Sequence, residues 1–371
     1  MNFTLTDLFQ ITKNLRLAEK LISEIKKLIN RKDRPIRIME FCGGHTHILL
    51  KYGIDEIFRP DIEFLHGPGC PVCVLSSDRL EMALRLAQEE NTIFLTYGDL
   101  LRVPNYQGKS LISLRAEGFD IRMISNAMDA LSIAQNNLSK KVIFFAIGFE
   151  TTAPATAFLI LRAKSEGISN LKVISNHLMT PPVLEYLFER YGVYVDGIIG
   201  PGHVCAVIGA KAYEGVSYKF SLPIVISGFD PLDILEAIYL LIQRIYEKKV
   251  GVEIAYKRAV TYEGNVKAQE LTQEVFEKRD FYWRGLGIVP ESGLGIKASF
   301  KDIDGENKKE EYFLVDNYKT CLCNRIIQGK AKPIECTLFG RACTPETPIG
   351  PCMVSSEGAC LAYFKYKGLL S

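Results

Sequence analysis

Residues 141–167 read KVIFFAIGFETTAPATAFLILRAKSEG. After Lys141, residues 142–147 form an unbroken apolar run rich in β-branched and aromatic residues, the length of a strand buried on both faces. A glycine-led polar turn follows, and apolar residues then recur at helical spacing through APATAFLILRAKSEG. Strand, tight turn and amphipathic helix in that order make half of a βαβ unit, so a parallel sheet is expected. The same grammar extends in both directions. IRIMEF, IEFL, TIFLTY, DIRMIS, LKVIS, DGIIG and LPIVIS, all between residues 35 and 230, are strands by the same criteria. Most lead into amphipathic stretches such as SDRLEMALRLAQEE (77–90). Eight strands fill one sheet or two, and the helical passage DALSIAQNNLSK before Lys141 is the expected divide. The expectation is an α/β chain with two parallel-sheet α/β domains, 1–135 and 136–250, then a helical connector and a small irregular C-terminal region, 251–371. No flexible linker marks the joint.

A chain of 371 residues that is 47% hydrophobic can bury a sizeable core. With 45 Lys and Arg against 43 Asp and Glu, its formal charge is only +2, and no basic cluster interleaved with aromatics points to nucleic acid. In the first thirty residues Leu8, Ile11, Leu15, Ile22, Ile25 and Ile29 recur at helical spacing with charges between them, which reads as an amphipathic docking helix and not a signal peptide. No stretch has the eighteen or more apolar residues of a membrane span, so a cytoplasmic protein without membrane contact is expected.

Beyond residue 230 the pattern changes. GFDPLDILEAIYLLIQRIYEKK is a helix with Asp230 as N-cap and Pro231 in its first turn, and NVKAQELTQEVFE (265–277) is another. YWRGLGIVPESGLGI and the charged KDIDGENKKEE (301–311) then lead to short elements rich in cysteine, glycine and proline. Such a tail buries little core alone, so a metal centre would supply its cross-links.

Ligand sites in open parallel sheets lie beyond the carboxyl ends of the strands. The segments at those ends are CGGHTH, HGPGCPVC, YGDLLRVPN, GFETTAP, SNHLMTPP, GPGHVC and GFDP, which together suggest loops converging on a cleft. None matches a phosphate-binding loop. Ten cysteines in a chain without a secretory signal would stay reduced, and their clustering points to metal or redox chemistry. Cys42, Cys70 and Cys73 lie early, Cys205 stands alone, and Cys321, Cys323, Cys336, Cys343, Cys352 and Cys360 crowd the tail. Four thiolates hold either an iron-sulfur cube or a structural zinc, and the surplus pair favours redox work over zinc. Cys70 and Cys73 form a CxxC pair that reads as half a zinc site, a thiol-disulfide couple or buried residues. Ser76, Ser77 and Asp78 place the pair just before a helix, whose dipole favours thiolate. By the same argument Cys42, flanked by Gly43 and Gly44, should be an accessible thiolate that binds metal. His45 and His47 either ligate, relay protons or cap, and Glu150, Thr151 and Thr152 either position a ligand or cap a helix; His177 and His203 are weaker candidates.

FCGGHTH (41–47), HGPGCPVCV (66–74), GFETTAPATA (148–157), GPGHV (200–204) and CTLFGRACTPETPIGPCMVSSEGAC (336–360), in this order and over nearly the whole chain, closely resemble the HypD family of NiFe-hydrogenase maturation proteins. The resemblance implies two related α/β domains and a C-terminal region with a 4Fe-4S cluster. It also implies assembly of an iron unit carrying two cyanides and one carbon monoxide before delivery to the hydrogenase large subunit. By that resemblance Cys42 holds the nascent iron with a cysteine of the small chaperone HypC, Cys70 and Cys73 are the thiol-disulfide couple beside it, and His45 and Glu357 support the site. Cys321, Cys336, Cys343 and Cys360 are the implied cluster ligands, and Cys323 and Cys352 a redox pair similar to that of ferredoxin-thioredoxin reductase. Cys205 departs from the family pattern, where serine is commoner, and has no implied role. Cyanide is expected from a thiocyanate on the partner HypE, with electrons passing from the tail to Cys70 and Cys73. Whether tail and cleft lie close enough for this, or need partner docking or domain movement, is not set by the sequence. A redox assembly scaffold without stand-alone turnover is the reading; a reductase of other protein disulfides and a zinc-stabilised binding protein are the competing ones.

Overall fold

A computed structural model describes residues 15–29, 34–306 and 321–367. All eight expected strands form: β1 (Ile36–Glu40), β2 (Ile62–His66), β3 (Thr92–Thr96), β4 (Ile121–Met123), β5 (Lys141–Gly148), β6 (Leu171–Leu178), β7 (Gly197–Pro201) and β8 (Pro223–Ser227). Three more follow, β9 (Gly251–Ile254), β10 (Phe276–Trp283) and β11 (Gly287–Ile296). They make two sheets, ordered β2-β1-β7-β8-β9 and β10-β11-β6-β5-β3-β4. The first is parallel throughout. The second is parallel from β4 to β6 and is extended by the antiparallel hairpin β11 and β10.

The expected divide near residue 135 is not where the sheets separate. The chain lays β1 and β2 in one sheet, builds β3 to β6 in the other, returns for β7 to β9, and then adds β10 and β11. Hydrophobic pattern identifies strands but carries no label for the partner strand, so interleaving leaves no trace in composition. It also explains the missing linker. One buried core is continuous from Met39 and Phe41 through Phe94 and Phe145 to Ile326 and Met353 in the tail, so the tail is part of the main core and not an appendage.

Counted within its sheet, the order of the first four strands is 2-1-3-4 in both cases. The parallel strands of each sheet end at one edge, and side chains from the two edges meet. Glu150, just past β5, accepts from the backbone N–H of Thr180 (2.6 Å) and from its hydroxyl (3.0 Å), and Thr180 Oγ1 lies 2.5 Å from the hydroxyl of Tyr213, which follows the helix after β7. Thr152 is the N-cap residue of the helix Ala153–Ser165, but its hydroxyl makes no capping bond and sits 3.2 Å from His177 Nδ1, while His177 Nε2 is 2.9 Å from Thr156 Oγ1. Glu150, Thr152 and His177 therefore stitch loops together inside the protein.

The helix Pro231–Glu247 starts as expected: Asp230 is its N-cap, Pro231 is in the first turn, and Asp233 accepts from the N–H of Asp230 at 3.1 Å. Its apolar face, with Ile234, Ile238 and Leu241, packs on Ala18, Ile22 and Ile25 of the helix Leu15–Ile29. The supposed docking helix is thus docked on its own chain; Leu8 and Ile11 lie outside the described residues. Among the described residues no helix is long and apolar enough to cross a membrane.

Two measurements check this packing. Ile238, fully buried, should cost about 2–5 kcal/mol of unfolding free energy when changed to alanine, read from denaturant midpoints. Burial raises the carboxyl of Glu150 from 4.5 to about 7, with the hydrogen bonds from Thr180 opposing the shift. Below about 4.5 both folded and unfolded states are protonated; between there and about 7 the unfolded chain ionises first, so stability falls as pH rises and then levels off. Glu150→Gln keeps the oxygen that Thr180 uses and should flatten that decline, gaining on the order of a few kcal/mol at pH 8 in a pH series of unfolding curves.

Candidate functional site

Cys42 follows β1 as N-cap of the helix Gly43–Lys51, in extended backbone at φ −158° and ψ 127°. Its N–H donates to Glu40 Oε2 at 3.0 Å. Its sulfur lies 3.8 Å from Nδ1 of His203, the second residue past β7. Strands β1 and β7 flank the point where the strand order reverses, which is where doubly wound sheets bind ligands. His45 and His203 both pack on Phe229, with ring centroids 4.8 and 5.1 Å away, and His45 Nε2 is 3.1 Å from the carbonyl oxygen of Gly228. Phe229 thus packs against both imidazoles, of which His203 lies beside the sulfur.

The expectation of an open, acidified Cys42 is overturned. Only 3% of the residue is exposed. Burial, then the negative charges of Glu357 and Glu40, push its pKa well above the ordinary thiol value, and the amides of Gly44 and His45 offset only part of this. The helix terminus acts in the expected direction but is the smaller effect. A buried neutral thiol beside two carboxyls is a place for a cation, whose charge reverses that logic. His203 is held down to about 4, by burial first and then by His45, and burial also lowers His45. Both therefore stay neutral near pH 7, the form in which imidazole binds metal.

Cys70 and Cys73 are joined by a disulfide with Cα atoms 5.3 Å apart. Cys70 caps the short helix Pro71–Val74, its sulfur accepting from the N–H of Cys73 at 3.1 Å. The loop lies directly on Cys42: a Cβ on Gly69 would come within 2.6 Å of the nitrogen and Cα of Cys42, and the N–H of Gly43 donates to the oxygen of Gly69 at 3.3 Å. From below, the turn between β10 and β11 supports it, with the N–H of Arg284 donating to the oxygen of Val74 at 2.8 Å.

The tail closes the other side. Asp99, past β3, accepts from the hydroxyls of Ser355 (2.9 Å) and Ser356 (2.7 Å) and from the N–H of Ser356 (2.9 Å). Held this way, Ser355 Oγ is 3.2 Å from the sulfur of Cys70, and half-buried Glu357 lies over Gly43. Burial, then the charge of Asp99, raises Glu357 to about 7. Cys352 shares a narrow cavity with Cys70, Cys73 and Glu357, and its sulfur is 2.9 Å from that of Cys323. The question of distance between tail and cleft, open in the sequence, is answered here: Cys352 lines the same cavity as the disulfide.

The other tail thiols, Cys321, Cys336, Cys343 and Cys360, are buried or half-buried in the same region. Among the described residues no three His, Cys, Asp or Glu side chains are arranged to hold a single metal ion. An iron-sulfur cube takes one thiolate at each iron, so its ligands need not converge on a point, and a set of soft, mostly buried donors fits that group by chemistry. His47 faces away, edge-on to Tyr366 of the helix Ala359–Tyr366. Cys205 is fully buried, and its thiol is raised by burial and by Glu150.

Several site residues were missed or underrated in sequence. His203 had only a glycine-rich loop to recommend it, and Asp99 only its place after a strand. Glu40 and His66 end their strands inside apolar runs: Glu40 Oε1 is 2.6 Å from His66 Nδ1 and accepts from Thr46, and His66 Nε2 is 3.1 Å from the hydroxyl of Tyr363. A carboxylate and an imidazole at the ends of adjacent buried strands were the available signal.

Comparison with known proteins shows the family. The family model described as "HypD: Hydrogenase formation hypA family" matches residues 16–367. Hydrogenase maturation factor HypD2 of Bradyrhizobium diazoefficiens is 46% identical over 341 residues, covering 90% of each chain. Hydrogenase maturation factor HypD of Cupriavidus necator is 45% identical over 358 residues and 94% of each chain, and that of Escherichia coli is 40% identical over 359 residues and 95% of each. The chain belongs to the HypD family.

Proposed function

We propose that this chain is a hydrogenase maturation factor that holds iron at Cys42 while its cyanide and carbon monoxide ligands are installed. The observation that carries the reading is the meeting of Cys42, the Cys70–Cys73 pair and Cys352 across loops from both sheets and the tail. Iron is the cargo. The thiolate of Cys42 and a cysteine of HypC hold it, neutral His203 stands beside that sulfur with His45 packed on the same Phe229, and the carboxyls of Glu40 and Glu357 balance its charge. Cyanide comes from a thiocyanate on HypE. Breaking the S–CN bond takes two electrons: the Cys70 and Cys73 dithiol gives up two electrons and two protons and becomes the disulfide, one proton completes the thiol of HypE, the other leaves to solvent, and cyanide passes to iron as the anion. The oxidised pair corresponds to the state after transfer.

Cys321, Cys336, Cys343 and Cys360 would hold a 4Fe-4S cluster, which when bound supplies one-electron redox capacity. Cys323 and Cys352 form the relay pair, an assignment favoured by their 2.9 Å contact and by the cavity Cys352 shares with Cys70 and Cys73. The finished iron unit then goes to the hydrogenase large subunit.

Two experiments test this. Co-purified anaerobically with HypC, the chain should show infrared bands of iron-bound cyanide and carbon monoxide, and Cys42→Ala should remove them; a complex lacking the bands but turning over other protein disulfides would make it a reductase instead. Iron and sulfide analysis should find the cluster abolished in Cys321→Ala and retained in Cys323→Ala, and the reverse would exchange ligand and relay.

A further inference from the structure

The two sulfurs of the disulfide stand in different surroundings. Cys70 Sγ accepts from the N–H of Cys73 at 3.1 Å and lies 3.2 Å from the hydroxyl oxygen of Ser355. Among the described residues no hydrogen bond reaches the sulfur of Cys73. Ser355 is 1% exposed and fixed from two sides, donating to Asp99 Oδ2 at 2.9 Å and accepting from the N–H of Glu357 at 3.2 Å. A disulfide sulfur has no hydrogen to give, so in the oxidised pair the serine hydrogen belongs to Asp99. The same carboxylate oxygen also receives the hydroxyl and the N–H of Ser356, at 2.7 and 2.9 Å. Turning the Ser355 hydrogen from Asp99 to Cys70 therefore moves no heavy atom and leaves Oδ2 with two donors.

Resting on the redox reading of this pair, the chemistry needs one of the two thiols to act first, as thiolate. We propose that Cys70 is that attacking sulfur and that Ser355 selects it by giving its hydroxyl hydrogen to the thiolate. Cys70, its proton released to solvent, attacks the thiocyanate sulfur: an S–S bond to the partner forms, the S–CN bond breaks, and cyanide leaves with the bonding electrons. Cys73 then attacks Cys70, closing the disulfide and expelling the partner's sulfur, which takes the Cys73 proton. The two cysteines lose two electrons between them, and the thiocyanate gains them. Carboxyls oppose negative charge at Cys70: Asp99 stands behind Ser355, and Glu357 lines the shared cavity. His66, Cys73 and Cys352 are the other titratable groups lining it, Cys42 lies against Gly69, and Arg284 is bonded to the carbonyls of Val74 and Leu75. Against those carboxyls, the hydroxyl of Ser355 and the N–H of Cys73 are the two donors placed on this sulfur, and hydrogen bonds to a charged acceptor are the strong ones.

Ser355 also anchors the tail, so the test separates its contact with the sulfur from its bond to Asp99. Full-length holoprotein is reduced anaerobically with dithiothreitol, freed of the reductant and given a limiting amount of iodoacetamide over a pH series. Mass spectrometry then reads the label at Cys70 and at Cys73. In the unaltered chain the label should fall mainly on Cys70. Ser355→Ala should move the midpoint of the Cys70 pH–rate profile up by about one pH unit, the worth of one hydrogen bond to a charged group. Ser355→Thr, which keeps the hydroxyl, should restore the midpoint. Ser356→Ala also costs Asp99 a bond but touches no sulfur, so its midpoint should match the unaltered chain. Label mainly on Cys73, an unmoved midpoint in Ser355→Ala, or a threonine variant that behaves like the alanine one overturns the assignment and leaves the redox reading standing. An equal shift in Ser356→Ala makes Ser355 an anchor alone and overturns it as well. A pair that dithiothreitol never opens in the folded, unaltered chain removes both the assignment and the redox reading beneath it.

Discussion

Two backbone approaches set the geometry on which the site depends. Gly69 lies so close to Cys42, and Gly43 so close to Glu357, that a Cβ on the first would come within 2.6 Å of the backbone of Cys42 and one on the second within 2.1 Å of the carbonyl oxygen of Glu357. Side chains at these positions would hold the loops apart by their own thickness. Without them, the loop after β1, the loop after β2 and the tail touch main chain to main chain, and short side chains such as cysteine and serine can interact across all three. The 3.2 Å separation of Ser355 and Cys70 and the cavity shared by Cys352, Cys70 and Cys73 follow from that contact.

The two sheets serve this junction differently. Each begins with the same strand order, and in each the loops flanking the order reversal carry the chemistry. In the first sheet these loops bring Cys42 and His203 together. In the second they bring Asp99, which anchors the tail, and Glu150, which ties its own loops to Tyr213. One half supplies the reactive groups and the other holds the third part of the chain against them.

Electrostatically the site is poised and costly. It buries a thiol beside Glu40 and half-buried Glu357 and keeps two imidazoles neutral. None of this stabilises the protein by itself, because burying polar groups costs free energy unless they are paired. In the proposed function a positive charge entering at Cys42 would offset that cost.

The eight strands, the capped helix after Asp230 and the loops that carry the site were legible in sequence, because period-2 and period-3.6 patterns and turn residues are local properties of the chain. The family motifs were legible for the same reason, as short runs of fixed order. Three things depended on the tertiary fold. Which strand pairs with which interleaved the sheets, since β1 meets β7 across more than 150 residues with nothing local to announce it. The protonation of Cys42 was decided by burial and by Glu357 from the far end of the chain, and these outweigh the local helix terminus on which sequence reasoning relied. And the distance from tail to cleft, large along the chain, vanishes because Asp99 and two glycines draw residues 352–357 onto the loops after β1 and β2. Chemistry at this site is a matter of ångströms between groups hundreds of residues apart, and such distances are set only when the whole core closes.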